Sequence, residues 1–240
     1  MQPEPAFVLH TRPYRETSLL VDFFTRNYGR FRAVARGARA AKIGTKKLNP
    51  YTQLLIGWAG KTELKTLTHV EQSSSPLTLK GDCLFCGFYL NEILIRLLAE
   101  NDPHEEIYDN YAHVLAQLAG NEPIEHSLRT FEFSLLEELG YALVLDADAQ
   151  TGEKISPEKE YWFEPNIGFS LKEGIYSKGA SANLFKGGEL LAFKNHDFNA
   201  IPLTAKRLMR LALEPHIGEK PLLSRNLFSK LKATNTELIN

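Results

Sequence analysis

Gly29-Arg30-Phe31-Arg32-Ala33-Val34-Ala35-Arg36 alternates apolar and basic side chains at a period of two, the period of a β-strand with one buried face. Phe31, Ala33 and Ala35 point to a core, and Arg30, Arg32 and Arg36 line the opposite face. Four more short runs rich in Val, Leu, Phe, Thr and Tyr surround this one, at residues 6–10, 18–25, 51–58 and 62–70. Turn-like pieces separate them: Arg12-Pro13, Asn27-Tyr28-Gly29 and Ala59-Gly60-Lys61. Five short strands in about 70 residues predict a small closed barrel, and the OB-fold is the common barrel of that strand count.

The basic run continues past the strand through Arg39, Lys42, Lys46 and Lys47, in a stretch of small residues that reads as a loop. Between Asp22 and Glu63 there is no acidic residue, while eight Lys and Arg lie from Arg26 to Lys47. A surface whose charges only aid solubility intersperses both signs, so this run reads as a phosphate-facing patch. The competing reading is a solvated basic face. The nucleic-acid reading nominates Arg30, Arg32, Arg36, Arg39, Lys42, Lys46 and Lys47, with Tyr14, Phe31, Tyr51 and Trp58 as candidates to stack on bases. No base-specific code is legible, which points to sequence-tolerant binding.

The whole chain hides this polarity. Its 240 residues carry a net charge of −1. Residues 1–80 hold thirteen Lys and Arg against five Asp and Glu, residues 81–200 hold eight against twenty-one, and residues 201–240 hold seven against three. Such sorting suggests parts with different partners. Two cysteines exclude a disulfide-built scaffold. The N-terminus shows no signal-peptide pattern and no apolar run reaches a membrane span. A cytoplasmic protein is expected.

From Asp82 the apolar period changes to 3.6. Cys86, Leu90, Ile93 and Leu97 mark one helical face. A second helix is expected with Asp102 as cap and Pro103 at its first position, and a third between Pro123 and Gly140. Residues 141–180 are punctuated by Gly and Pro and suggest short strands. Residues 187–231 return to helix, with Leu203, Leu208, Leu211, Ile217 and Leu223 apolar and Lys206, Arg207, Arg210, Lys220 and Arg225 as a second basic cluster. The predicted fold is a multi-domain α+β protein. An OB-fold β-barrel (1–80) leads to a helical bundle (81–140) and a small C-terminal α/β region, with a short-strand insertion (141–186) and a C-terminal helical region packing on the bundle (187–240).

Fingerprints of catalysis are missing. There is no phosphate loop, no dinucleotide-binding glycine pattern and no nucleophile elbow. Gly187-Gly188 reads as a helix-entry turn. Cys83 and Cys86 have metal-like spacing without a second pair and read as core thiols. Asp146, Asp148 and Glu153 imitate part of a calcium loop whose other ligand positions are absent. No enzyme, metal or cofactor is expected. Arg129 stands nearly alone as a cation in the acidic middle. It has two readings: an i, i+4 partner of Glu125, or a seat for a carboxylate.

Several segments, in order along most of the chain, resemble the RecO family of bacterial recombination mediators, in its proteobacterial branch. They are Ala6-Phe7-Val8-Leu9-His10-x-Arg12-Pro13-x-x-Glu16-Thr17-Ser18-Leu19, Arg36-Gly37-Ala38-Arg39, Gly87-x-Tyr89-x-Asn91-Glu92-x-Leu94, Leu128-Arg129-x-Phe131-Glu132, Leu139-Gly140-Tyr141 and Leu213-x-Pro215-x-x-Gly218-x-Lys220-Pro221-Leu222-x-Ser224-Arg225. The resemblance implies an N-terminal OB-fold, a helical bundle and a C-terminal region. It implies a non-enzymatic repair and recombination mediator, associated with the nucleoid, that binds single- and double-stranded DNA and anneals complementary strands. It also implies work with RecR to help load RecA onto DNA coated by single-stranded-DNA-binding protein, and docking of that protein's acidic, Phe-ending tail. Arg129, with Leu128 beside it, matches the segment where the tail carboxylate is expected. Some members carry a four-cysteine zinc site after the third helix; residues 141–180 contain no cysteine, so none is expected here. The alternatives are an RNA-binding OB-fold protein of translation or RNA turnover, and an interaction scaffold whose acidic middle binds proteins.

Overall fold

A computed structural model describes residues 3–40, 48–120, 122–172 and 180–228. The chain divides into two compact units, Met1–Glu122 with Glu219–Asn240, and Pro123–Gly218. Among the described residues no helix is long and apolar enough to cross a membrane.

In the first unit the five expected strands form β1 (Glu4–Tyr14), β2 (Ser18–Thr25), β3 (Gly29–Ala35), β4 (Leu54–Ala59) and β5 (Lys65–Gln72). They close into an OB-like barrel in the order β1-β2-β3-β5-β4, with β3 and β5 parallel. Phe31, Ala33 and Ala35 enter the core with Ala6, Val8, Val21, Phe23, Leu54 and Ile56, as the period of two predicts.

β1 and β2 are apolar on both faces because both faces are covered. Phe7 and Phe24, which point out of the barrel, meet Tyr108 and Tyr111 at ring distances of 5.1–6.3 Å. Those tyrosines belong to helix α2 (Glu105–Ala119), which follows α1 (Asp82–Leu97). Burial pushes the Tyr111 hydroxyl well above the ordinary phenol range, so it stays protonated and donates to Asn91 Oδ1. Asn91 in turn donates Nδ2 to the Leu9 carbonyl of β1 at 2.8 Å. One buried amide thus joins strand, helix and helix.

α2 begins at Glu105, after Asp102 and Pro103, with His104 in the cap position. Asp102 is drawn away from capping by the barrel. Its backbone lies so close to Gly29 that a Cβ there would fall 2.0 Å from the Asp102 carbonyl oxygen. The neighbouring Asn101 N–H donates to the Arg30 carbonyl at 2.8 Å. Gly29 also has φ +67°, so both space and backbone conformation demand glycine there.

The segment from Glu219 returns to α1 through Glu92. That carboxylate accepts from the backbone N–H groups of Leu223 and Ser224 at 2.9 Å and from Ser224 Oγ at 2.7 Å. Arg96 donates to Glu92 at 2.7 Å and to the Pro221 carbonyl at 2.9 Å. Leu223 opens the helical turns at 223–228, so the carboxylate satisfies N–H groups that a helix start leaves free.

In the second unit, α3 (Ile124–Glu138) packs on α5 (Pro202–Leu213). Helix periodicity identifies the apolar face of α3 without identifying what covers it. β6 (Glu160–Glu164), β7 (Gly168–Leu171) and β8 (Leu184–Lys186) form a sheet in the order β7-β6-β8. Phe163, Phe169 and Phe185 interlock on it, with ring distances of 4.8–6.2 Å. α4 (Gly187–Lys194) starts at the double glycine, as expected for an entry turn. Asp148, one of the calcium-like acids, is a loop staple. It accepts from the N–H groups of Gln150, Thr151 and Leu171 at 2.6–3.0 Å. Leu203 and Leu223 depart from the apolar stripe read in the sequence, at 82% and 73% exposed.

The Glu92 clasp carries a pH dependence. Burial pushes its carboxyl up, but the donors from Ser224, Leu223 and Arg96 outweigh burial and hold it below the ordinary range. Its contribution to stability is therefore present above the unfolded value near ~4.3 and lost as pH falls through the lower folded value. Glu92→Ala is expected to cost about 2–4 kcal/mol, because four donor groups lose a charged acceptor. Limited proteolysis should then cut at 219–228 at neutral pH, as it should in the wild type only in acid.

Candidate functional site

The β1–β2 hairpin closes at the pair Tyr14 and Ser18. Because β2 also pairs with β3, Leu19 opposite Ala35, the hairpin tip lies beside the segment that leaves β3. Three hydrogen bonds from Arg39 fix this neighbourhood. Arg39 N–H donates to the Thr17 carbonyl at 2.9 Å, and the Arg39 guanidinium donates to the carbonyls of Arg15 and Glu16 at 3.1 Å. Four exposed arginines gather here: Arg12, Arg15, Arg36 and Arg39. Among the described residues none of them forms an ion pair with a carboxylate. Glu16 is the acid within the hairpin tip. Ala38 and Leu48, buried in the barrel core, flank the rest of the basic run. Lys42, Lys46 and Lys47 lie outside the described residues.

The other two arginines of the β3 row have a different environment. Arg30 is almost buried, its side chain 11% exposed. Its Nη1 lies 3.5 Å from Asp22 and 3.6 Å from Glu100, and its Nε donates to the Leu98 carbonyl at 3.2 Å. Arg32, more open, meets the same Glu100 at 3.0 Å. Two cations and two carboxylates cancel, so this part of the face is close to neutral. An exposed ion pair is worth only about 0–1 kcal/mol, so a phosphate can displace Glu100 from Arg32. At Arg30 it would have to break a half-buried network, where the carboxylates win. Of the nominated row, Arg36 and Arg39 have no ion-paired carboxylate among the described residues, Arg32 is offered in exchange, and Arg30 is committed to the joint between β3 and residues 98–101.

Sequence reasoning missed Arg12 and Arg15. A run-based reading follows the chain, whereas the hairpin brings residues 12–17 beside residues 36–39. The usable signal was the turn read at Arg12-Pro13: a basic turn preceding a strand that pairs with the basic strand. Of the aromatic candidates, Phe31 and Tyr51 are core residues, at 2% and 4% exposed, and cannot stack on bases. Trp58 packs on Phe31 at 4.6 Å and on the half-exposed Tyr28 at 5.2 Å. Tyr14 remains at the arginine cluster, with the Arg15 guanidinium 5.3 Å over its ring.

Arg129 and Leu128 lie on α3 in the second unit, 5% and 6% exposed. The nearer carboxylate is Glu132, an i+3 neighbour 3.0 Å from Nη1. Glu125, the i−4 partner read from spacing, stands 3.9 Å from Nε. The second basic cluster is partly engaged as well. Lys206 donates to Glu125 at 3.1 Å, and Arg207 lies 4.3 Å over the Phe185 ring and donates to the Leu184 carbonyl. Among the described residues no group of three or more His, Cys, Asp or Glu side chains is arranged to hold a metal ion.

Comparison with known proteins matches residues 1–76 to the family model described as "Recombination protein O N terminal" and residues 80–226 to "Recombination protein O C terminal". "DNA repair protein RecO" of Pseudomonas aeruginosa (strain LESB58) is 46% identical over 231 residues, covering 95% of each chain. The protein of that name from Actinobacillus succinogenes is 43% identical over 226 residues, covering 93% of each.

The two arginine environments separate in a stability measurement. Arg30→Ala is expected to lose about 2–3 kcal/mol on chemical denaturation, since Asp22 and the Leu98 carbonyl lose their donor. Arg36→Ala should stay within about 0.5 kcal/mol of wild type, as an exposed side chain without such partners.

Proposed function

Since this chain belongs to the RecO family of DNA repair proteins, we propose that it is a repair and recombination mediator that grips DNA phosphates with Arg12, Arg15, Arg36 and Arg39. Lys42, Lys46 and Lys47 continue the same run in the sequence, and Arg32 joins by releasing Glu100. The observation that carries this reading is the gathering of four exposed arginines, none ion-paired among the described residues, at one end of an OB-like barrel. Phosphate contacts release condensed counterions and carry no sequence information, so both single and double strands are accommodated. Two strands held on one cationic surface lose part of their mutual repulsion, and complementary strands anneal without covalent chemistry. In the cell this activity serves, together with RecR, to load RecA onto DNA coated by single-stranded-DNA-binding protein. The acidic, Phe-ending tail of that protein is received by Arg129, with Leu128 beside it. Support for the seat is a guanidinium 5% exposed whose Nε is buried and makes no hydrogen bond.

Titration of a fluorescent oligonucleotide at several salt concentrations tests the DNA surface. Replacing Arg12, Arg15, Arg36 and Arg39 with alanine should flatten the slope of log affinity against log salt. The expected change is about 0.7 per lost phosphate contact on single strands and about 0.9 on duplex. An unchanged slope and affinity would sink this assignment. Stronger competition by single-stranded RNA than by DNA of equal length would favour an RNA ligand instead.

A further inference from the structure

Two cations and two carboxylates of the second unit meet around Arg129, and they are not equivalent. Glu132 is 1% exposed and stands against Nη1 at 3.0 Å, so it is fixed inside. Glu125 is 42% exposed. Its Oε1 accepts from Lys206 Nζ at 3.1 Å, and Lys206 is 58% exposed. Its Oε2 lies 3.9 Å from Arg129 Nε, outside hydrogen-bond range. Both that oxygen and that nitrogen are buried and neither has a hydrogen-bond partner. A surface carboxylate therefore spans a buried guanidinium and an exposed ammonium, yet leaves the guanidinium's Nε–H unsatisfied. Unmade bonds on buried charged groups are costly, and this one stays open to a better-placed acceptor.

We propose that Glu125 is a built-in stand-in for the C-terminal carboxylate of a partner peptide. Bound to Lys206, it closes the Arg129 seat; the arriving carboxylate takes its place on Arg129 Nε and Lys206 Nζ while Glu125 turns to solvent. This rests on the reading of Arg129 as a carboxylate seat and adds an internal competitor to it. The charge balance requires an exchange. Adding a third carboxylate beside two cations, one of them buried with its own carboxylate, is unfavourable, whereas replacing one carboxylate by another keeps the site neutral. Glu132 is enclosed, so Glu125 is the one that leaves. Affinity for the peptide is then the intrinsic affinity scaled by the fraction of time the seat is open.

Binding of the full chain to an acidic peptide ending in a Phe carboxylate, and to the same peptide with a C-terminal amide, tests the proposal. If Glu125 closes the seat nine-tenths of the time, Glu125→Gln and Glu125→Ala should each bind the free acid about tenfold more tightly than wild type. The amide should gain much less, and adding Arg129→Ala should remove the gain. Suppose wild type prefers the acid over the amide through Arg129, yet both Glu125 variants bind it equally or more weakly. The stand-in is then overturned and the Arg129 seat survives. If neither wild type nor the Glu125 variants distinguish acid from amide, the Arg129 seat itself is wrong and the stand-in falls with it.

Discussion

Asn91 and Glu92 are consecutive on one helix, and between them they join the distant parts of the first unit. Successive helical residues point about 100° apart. One side chain therefore faces the barrel, binding the Leu9 carbonyl and Tyr111, and the next receives the chain returning at Leu223 and Ser224. Asn91 is buried and Glu92 partly so, and polar groups in such places are tolerable only when their bonds are made. That requirement fixes α1 against β1 and, with Phe7 and Phe24 under Tyr108 and Tyr111, holds the outer side of the hairpin. The far tip of the same hairpin carries Arg12 and Arg15, so this polar joint supports the strands that position the cationic cluster.

Pairing with carboxylates sorts the arginines by what they can do. Arg30 and Arg32 share Glu100, while Arg36 and Arg39 stand at a hairpin tip without an ion-paired carboxylate among the described residues. The same logic recurs at Arg129, where an enclosed Glu132 and an exposed Glu125 stand on one guanidinium. An ion pair that is buried holds structure, and one that is exposed can be exchanged for a ligand. Burial of the opposing carboxylate is thus a better guide to a binding arginine than the density of basic residues along the chain.

Local pattern made much of this legible. Period-two alternation around Phe31 placed the core of β3, and the shift to 3.6 at Asp82 placed α1. Long-range choices left no such mark. The parallel pairing of β3 with β5 has no local period, and the packing of α3 on α5 is invisible in either helix alone. Asp102 read as a cap because the sequence does not show Gly29 pressing on its backbone. Arg30 read as solvent-facing because a period of two assigns a face and says nothing about the acids delivered to it from residue 100. Arg129 read as a partner of Glu125 by helix spacing, and the tighter Glu132 is the equally allowed i+3 neighbour.

The central claim is that DNA contacts the hairpin end of the barrel, at residues 12–17 and 36–40. Photocrosslinking of a halogenated oligonucleotide to the full chain, with crosslinked peptides identified by mass spectrometry, tests it most directly. Crosslinks should concentrate in those two stretches, with none at Arg30. Crosslinks confined to the basic positions of α5, with the barrel unmarked, would contradict the account.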